Sequence, residues 1–600
     1  MAGASKPRLA AGVEVVVRPA VFAPLLVCLG LAVSACFVNR GLPVFDEGAV
    51  LTLASRILRG EIFYRDLDAY YFPGAPYLLA GWLWLFGESV NAARWLAAGV
   101  FSCMLLGLYS TAVQLLDRRR AALVGLSLLN FKFLAWPAFT SYFYSDLALC
   151  FAFGAIALIV GHERRGVALR LSAAGALTAL ATASKQSLGI YLALAASLLL
   201  AFPPAAGDTR RLSIGKRLPE VGAFALGFSV VAIPLLGYFA AQGLLDSLIT
   251  SGLLRPFLHY MPTSGVSFGE MLAWWRLGEL RGLVGFPYHV NPYWTMLMNE
   301  WLPGEALYPL YWLVGEVFSR GLYTSVVVVF ALALWRCRHA IRRRKADQSE
   351  GSLLMLTVLA FAVVLSAFPR ADFLHVISVY PIVLLLLFCL EAAGRAKGSG
   401  SPRAITWRVA ALVLLFLVVT SALATLRHRQ QSYRMQVARA DLYIDPANSW
   451  VESVLAYVEE TLDSQDLLFV YGPDANYYFL TGHYYHPWRF TQIYPGQVGG
   501  VRGTPLVATL REHPPKLVIR GLLKWPGIPD VASYAQDLAL FVTANYEPYD
   551  ELFEDHPPVM GTEPRAWAFD MLRPRRQPLW DRPLQFSAPS VAIPTGSPSP

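Results

Sequence analysis

Ten residues of this chain have the type and the placement for chemistry at the edge of an apolar phase. Asp46 and Glu47 follow the first long apolar run, Asp146 opens the fourth, and Lys185 lies between the fifth and sixth. Arg370, Asp372 and His375 lie between the ninth and tenth, and Tyr64, Arg65 and Asp66 stand in the polar stretch after the first. Carboxylates and imidazoles can carry protons for a reacting group, and fixed cations stabilise charge that develops as a bond breaks. Ionisable residues at or near a membrane span are costly, which makes each a functional candidate. None is clearly at the middle of an apolar run. Acids and cations collected at one set of helix ends suit a catalyst working at an interface. A lipid or solute transporter or flippase of the cell envelope, the alternative reading, would place coupling residues near the midplane, often in broken helices of repeated halves.

The elements that must hold these residues are spans of a bilayer. The 600 residues are 56% hydrophobic with a mean hydropathy of +0.45, more than a soluble core requires. A spanning helix needs about 20 mainly apolar residues. Runs at 21–38, 92–115, 121–137, 142–160, 169–183, 188–202, 221–241, 306–335, 353–368, 374–390 and 405–424 predict eleven spans. Short loops rich in Lys and Arg mark the cytoplasmic side. Every second loop is basic: Arg118 to Arg120, Arg164/Arg165/Arg170, Arg210/Arg211/Lys216/Arg217, Arg336 to Lys345, and Arg395/Lys397/Arg403/Arg408. The expected fold class is therefore mainly α, a polytopic bundle of about eleven spans followed by a small extracytoplasmic α/β domain. Residues 1–20 form a cytoplasmic segment, 21–425 the transmembrane domain, 426–572 the outer domain and 573–600 a disordered Pro/Ser-rich tail. In the outer domain, 466–471, 516–520 and 566–572 read as strands and 450–462 as a helix. The sequence 33–36 approximates a lipoprotein cleavage box, but removing the first span would leave the loop at Arg118 to Arg120 on the wrong side.

The net charge of +9 does not indicate nucleic acid, because the basic residues fall in short clusters between apolar runs. The six cysteines lie in apolar runs or beside them and form no CxxC pair. His483, His486 and His513 are too scattered for a metal site. No cofactor is expected, and a metal requirement is left open.

Residues 47–59 keep apolar positions at helical spacing with Arg56 and Arg59 opposite, the pattern of a helix lying along the membrane surface. Phe45-Asp46-Glu47-Gly48, Tyr64-Arg65-Asp66 with Pro73-Gly74, Asp146, Ser184-Lys185-Gln186 and the run from Phe368 to His375 ahead of Pro381 then follow in order. In that order and sidedness the chain resembles the membrane glycosyltransferases of the GT-C fold, in particular the protein mannosyltransferase and aminoarabinose transferase group and its bacterial relatives (glycosyltransferase family 39-like), over residues 20 to 425. The resemblance implies a protein of the bacterial cytoplasmic membrane that takes a sugar from a polyprenyl-phosphate donor and passes it, with inversion, to a hydroxyl of an envelope glycan, lipid or protein. It implies Asp46 as the catalytic acid position, Glu47 and Asp146 as groups that orient the acceptor or share its proton, and Lys185, Arg370 and Arg65 as ligands of the donor phosphate. Several relatives carry Lys-Pro-Pro in the first loop where this chain reads Tyr71-Phe72-Pro73-Gly74, so one cation of the pattern is absent.

Each residue also has a plainer reading. Asp46, Glu47 and Asp146 suit the first turn of a helix, where carboxylates are favoured. Lys185 and Arg370 suit snorkelling to headgroups, and His375 suits an interhelical hydrogen bond. A noncatalytic assembly protein would tolerate neutral replacements at all of them.

Overall fold

The computed structural model describes residues 18–43, 45–129, 131–134, 139–161, 167–204, 217–278, 308–343, 348–396, 432–495, 497–498, 502–521, 530–549 and 569–575. It is mainly helical. Five helices are long and apolar enough to cross a membrane: Val90–Leu115, Val167–Ser184, Leu218–Ala241, Leu313–Arg338 and Phe373–Ala393. Shorter apolar helices span Pro19–Ala35, Gly74–Phe86, Tyr144–Val160, Gln186–Ala201 and Glu350–Leu365. The run expected at 121–137 is the helix Arg118–Leu129 followed by the single turn Phe131–Leu134. The eleventh expected span, at 405–424, and residues 1–17 lie outside the described residues.

Small residues set the tightest helix crossing. A Cβ on Gly175 would lie 1.9 Å from the carbonyl oxygen of Phe224, and one on Gly227 would lie 1.7 Å from that of Ser172. Without burial from water as a driving force, apolar helices associate through such close backbone approach.

The charges sort to two ends of the bundle. At one end Arg120 pairs with Glu391 at 3.2 Å, Arg336 donates to the carbonyl of Ala393 at 2.7 Å, and Arg170 donates to that of Gly161 at 3.0 Å. These residues come from loops that the sequence assigns to one side. The other end carries the first loop and the turn before Phe373.

Two stretches between the expected spans are helical. Apolar residues 77–86 belong to the helix Gly74–Phe86, whose carboxyl end leaves Trp84 and Phe86 exposed. Within the long segment expected from 242 to 305, Leu245–Ile249 is α-helical, Thr250–Leu254 and Pro256–Tyr260 are π-helical, and Met261–Ser264 closes as α-helix. Fully buried Arg320 then pins 269–278 by donating to the carbonyls of Glu270, Ala273 and Arg276.

The C-terminal segment holds a hairpin of β1 (Tyr433–Val437) and β2 (Ala440–Ile444) and a four-stranded sheet. The sheet comprises β3 (Leu468–Tyr471), β4 (Leu517–Gly521), β5 (Tyr546–Pro548) and β6 (Phe569–Pro574), in the order β3-β4-β6-β5. β3 and β4 are parallel, and β6 runs antiparallel to both β4 and β5. Strand β6 continues through Arg573 and Pro574, the first residues of the expected tail, and 576–600 lie outside the described residues. The helix Trp450–Thr461 matches expectation. Buried residues of this segment and of the helical bundle form one continuous hydrophobic cluster. The amide nitrogens of Gly41 and Tyr443 bond to Tyr443 and Asn39 carbonyls at 2.9 and 2.7 Å, and Asn91 exchanges two hydrogen bonds with the Asp441 backbone.

Candidate active site

The helix Phe45–Leu58 places Asp46 and Glu47 in its first turn, where successive side chains point about 100° apart. Glu47 is fully buried. It receives two hydrogen bonds from Arg94, Nε at 2.8 Å and Nη2 at 2.9 Å, and Arg94 also donates to the carbonyls of Arg40 and Gly41. Expected to orient the acceptor or share its proton, Glu47 is instead spent on a bidentate pair that ties the first loop to the helix Val90–Leu115. That pair fixes the rotation of the helix, and with it the direction of Asp46.

Asp46 remains solvent-accessible although protein surrounds it. The surrounding protein pushes its carboxyl above the usual carboxylate range. Nearby Arg370 and His375 oppose that push, Asp372 adds to it, and a hydrogen bond from Gln492 lowers it. Tyr71, Tyr144 and Tyr260 also stand within electrostatic range of Asp46. The Tyr71 and Tyr144 rings are stacked at 4.0 Å and 12°. Tyr260, on the π-helical stretch, hydrogen-bonds to Arg370.

The turn before Phe373 is organised by Asp372. One oxygen accepts from Arg370 Nε at 2.7 Å; the other accepts the His375 backbone N–H at 2.9 Å and lies 2.7 Å from His375 Nδ1. Burial pushes the Asp372 carboxyl up, but His375 and Arg370 outweigh it and hold the group well below the usual range. Lys185 lies within electrostatic range of both Asp372 and Asp146. Residues from the first loop, the Ser184–Gln186 break and the turn at Pro369 to Phe373 therefore converge.

Not every candidate faces Asp46. Asp146 is buried and accepts the N–H of Phe139 at 2.9 Å, while Lys132 donates to the Phe139 carbonyl. Together they hold Phe139 at φ 60, a left-handed conformation that a bulky residue adopts only when its surroundings impose it. Asp146 thus shapes the turn that begins its helix, and Tyr144, two residues earlier, faces Asp46 instead. Arg65, expected at the donor phosphate, is half-exposed and pairs with the adjacent Asp66 at 3.0 Å. Asp66 also accepts the Ile62 N–H at 2.8 Å, which closes a surface turn. Tyr64 is buried and donates to the Tyr71 carbonyl at 3.1 Å, so it supports the stacked tyrosines from behind.

The sequence reading missed four groups around Asp46: Tyr71, Tyr144, Tyr260 and Gln492. Tyr71 was in plain view within the first-loop motif. Gln492 gave no signal, since only long-range docking brings it there. Asp68 was missed as well: it is buried, bonds Arg255 at 2.6 Å and Ser251 at 3.1 Å, and ties the first loop to the π-helical stretch. Among the described residues no three His, Cys, Asp or Glu side chains come close enough to hold a metal.

No family model and no curated protein matches the chain. Solved structures do match. ArnT from Cupriavidus metallidurans bound to undecaprenyl phosphate is 13% identical, with a TM-score of 0.47 over 92% of this chain and 97% of that one. The same protein in the apo state is 14% identical, with a TM-score of 0.46 over the same shares. The archaeal oligosaccharyltransferase AglB from Archaeoglobus fulgidus, in complex with an inhibitory peptide and a dolichol-phosphate, is 12% identical, with a TM-score of 0.44 over 94% of this chain and 75% of that one. These structural neighbours are GT-C fold glycosyltransferases.

Proposed function

We propose that this chain is a membrane glycosyltransferase that moves a sugar from a polyprenyl-phosphate-linked donor to an acceptor hydroxyl at the extracytoplasmic face of a bacterial cytoplasmic membrane. The observation that carries the reading is Asp46: an accessible carboxylate at one end of the bundle, with Arg370, His375 and Asp372 in electrostatic range. A carboxyl held above its usual range is a stronger base than an ordinary aspartate. It takes the proton of the acceptor hydroxyl. The freed oxygen pair attacks the anomeric carbon from the side opposite the phosphate, the bond from that carbon to the phosphate oxygen breaks, and the configuration inverts. The leaving polyprenyl phosphate gains negative charge, which the Arg370 and Lys185 cations stabilise electrostatically. The stacked Tyr71 and Tyr144 supply an apolar face of the kind against which sugar rings pack.

Mass spectrometry of lipid-linked sugars and envelope glycans, with and without this protein, tests the proposal. Its removal should let one polyprenyl-phosphate sugar accumulate and one glycan, lipid or protein lose that sugar. Identical inventories would refute it.

A further inference from the structure

Asp46 belongs to the helical bundle, yet one of the groups that touches it comes from the far end of the chain. Two short pieces of the C-terminal segment are clamped against the first turns of the helix Phe45–Leu58. Thr52 donates its hydroxyl to the Ala475 carbonyl at 3.0 Å, and Gly48 lies so close to the next residue that a Cβ there would stand 2.3 Å from the Asn476 nitrogen. The piece around Gln492 is tied to the piece around Pro473: the Ile493 N–H bonds the Gly472 carbonyl at 3.0 Å, and Tyr534 holds the Ile493 carbonyl at 3.0 Å.

Within this clamp the side-chain amide of Gln492 has a defined orientation. Its Nε2 donates to the Pro473 carbonyl at 3.2 Å. An amide nitrogen carries two hydrogens, which leaves one for the Asp46 carboxylate, the charged neighbour that Gln492 stabilises. Because an ionised carboxylate only accepts, the same nitrogen serves both partners.

We infer that Gln492 is a positioning residue for Asp46: the C-terminal segment reaches back to hold its carboxylate through an amide fixed by Pro473. The bundle alone is then an incomplete catalytic centre. The inference rests on the proposed role of Asp46 for its consequence in catalysis, but the contact can be tested without it. A donor to the ionised form favours that form. The other charged and titratable groups facing Asp46 are Arg370 and Asp372 of the turn, His375 of the helix that follows it, Tyr71 of the first loop, Tyr144 of the helix Tyr144–Val160 and Tyr260 of the π-helical stretch. None of these changes when Gln492 is replaced.

The test is a pH titration of the full-length protein in lipid by infrared difference spectroscopy, following the protonated-carboxyl band that Asp46→Asn removes. Gln492→Ala should move the midpoint of that band upward by about half to one pH unit, the equivalent of one lost hydrogen bond. The near-isosteric Gln492→Glu, which adds a negative neighbour, should move it further and carries the test alone if the alanine variant does not fold. An unmoved midpoint in a folded variant would overturn the inference, and sugar transfer would separate it from the parent reading. Loss of transfer in Asp46→Asn with no band shift from Gln492 sinks only the positioning role. A shifted band with normal transfer in Asp46→Asn keeps the contact and sinks the base.

Discussion

Asp46 and Glu47 are adjacent acids with opposite fates, and the difference comes from the phase of one helix. Glu47 turns inward onto Arg94, and both side chains are almost completely buried. Removing one partner of such a pair leaves an uncompensated charge in the interior, which costs about 3 to 5 kcal/mol. Glu47→Gln should therefore lower the melting temperature sharply and reduce activity mainly through loss of folded protein; a stable but inactive variant would return Glu47 to the chemistry. Asp46 turns outward, and its base form exists only above its pKa. That pKa is already raised, and Arg370 is the strongest group opposing the rise. Arg370→Gln should move the acid limb of kcat/KM upward, on the order of one pH unit, so activity is lost at a higher pH as the medium is acidified. An unmoved limb would show that Asp46 does not set it. At this scale the sequence exposed the acids and the Arg370 to His375 turn, because charges beside apolar runs stand out. It could not separate Asp46 from Glu47, or Tyr144 from Asp146, since facing depends on helix rotation and on partners such as Arg94 and Lys132.

The elements that hold the site meet through very small residues. Gly48 is the tightest of these contacts near Asp46, and the obstructing atom is backbone rather than a yielding side chain. Gly48→Ala should push the 472–476 stretch off the helix, displacing Gln492 from Asp46. A displacement of roughly an ångström at a reacting group costs up to a hundredfold in rate. Transfer should fall about tenfold to a hundredfold while the helices still insert, and limited proteolysis should cleave the C-terminal segment more readily. Normal transfer by that variant would show the close approach to be incidental. Hydropathy located the helices because apolar length is a local property. The π-helical 250–260 stretch, which delivers Arg255 and Tyr260, lies between two expected spans and is too short to cross a bilayer, so apolar length alone does not reveal it. The docking of the C-terminal segment was invisible for a different reason: its contacts join residues hundreds of positions apart, such as Thr52 and Ala475.

At the scale of the whole molecule, the two ends of the bundle are chemically distinct. Arg120, Glu391, Arg336 and Ala393 gather at one, and Asp46, Arg370, Asp372 and Gln492 at the other. Under the proposed function the arginine end is the cytoplasmic one, as the positive-inside rule predicts from the alternation of basic loops. A reporter active only outside the cytoplasm should work when fused after Leu426 and fail when fused after Arg120 or Lys345. Activity at the Arg120 fusion would invert the protein and place Asp46 on the wrong side for the proposed chemistry.

The most direct measurement is sugar transfer by Asp46→Asn. The substitution keeps shape and hydrogen-bonding capacity but removes the basicity on which the account depends. Expressed in cells that lack the native protein and assayed by mass spectrometry of lipid-linked sugars and their acceptors, the inserted and folded variant should transfer sugar at least about a hundredfold more slowly than the native chain and leave the donor to accumulate. Transfer at a near-native rate would contradict the assignment of Asp46 as the base.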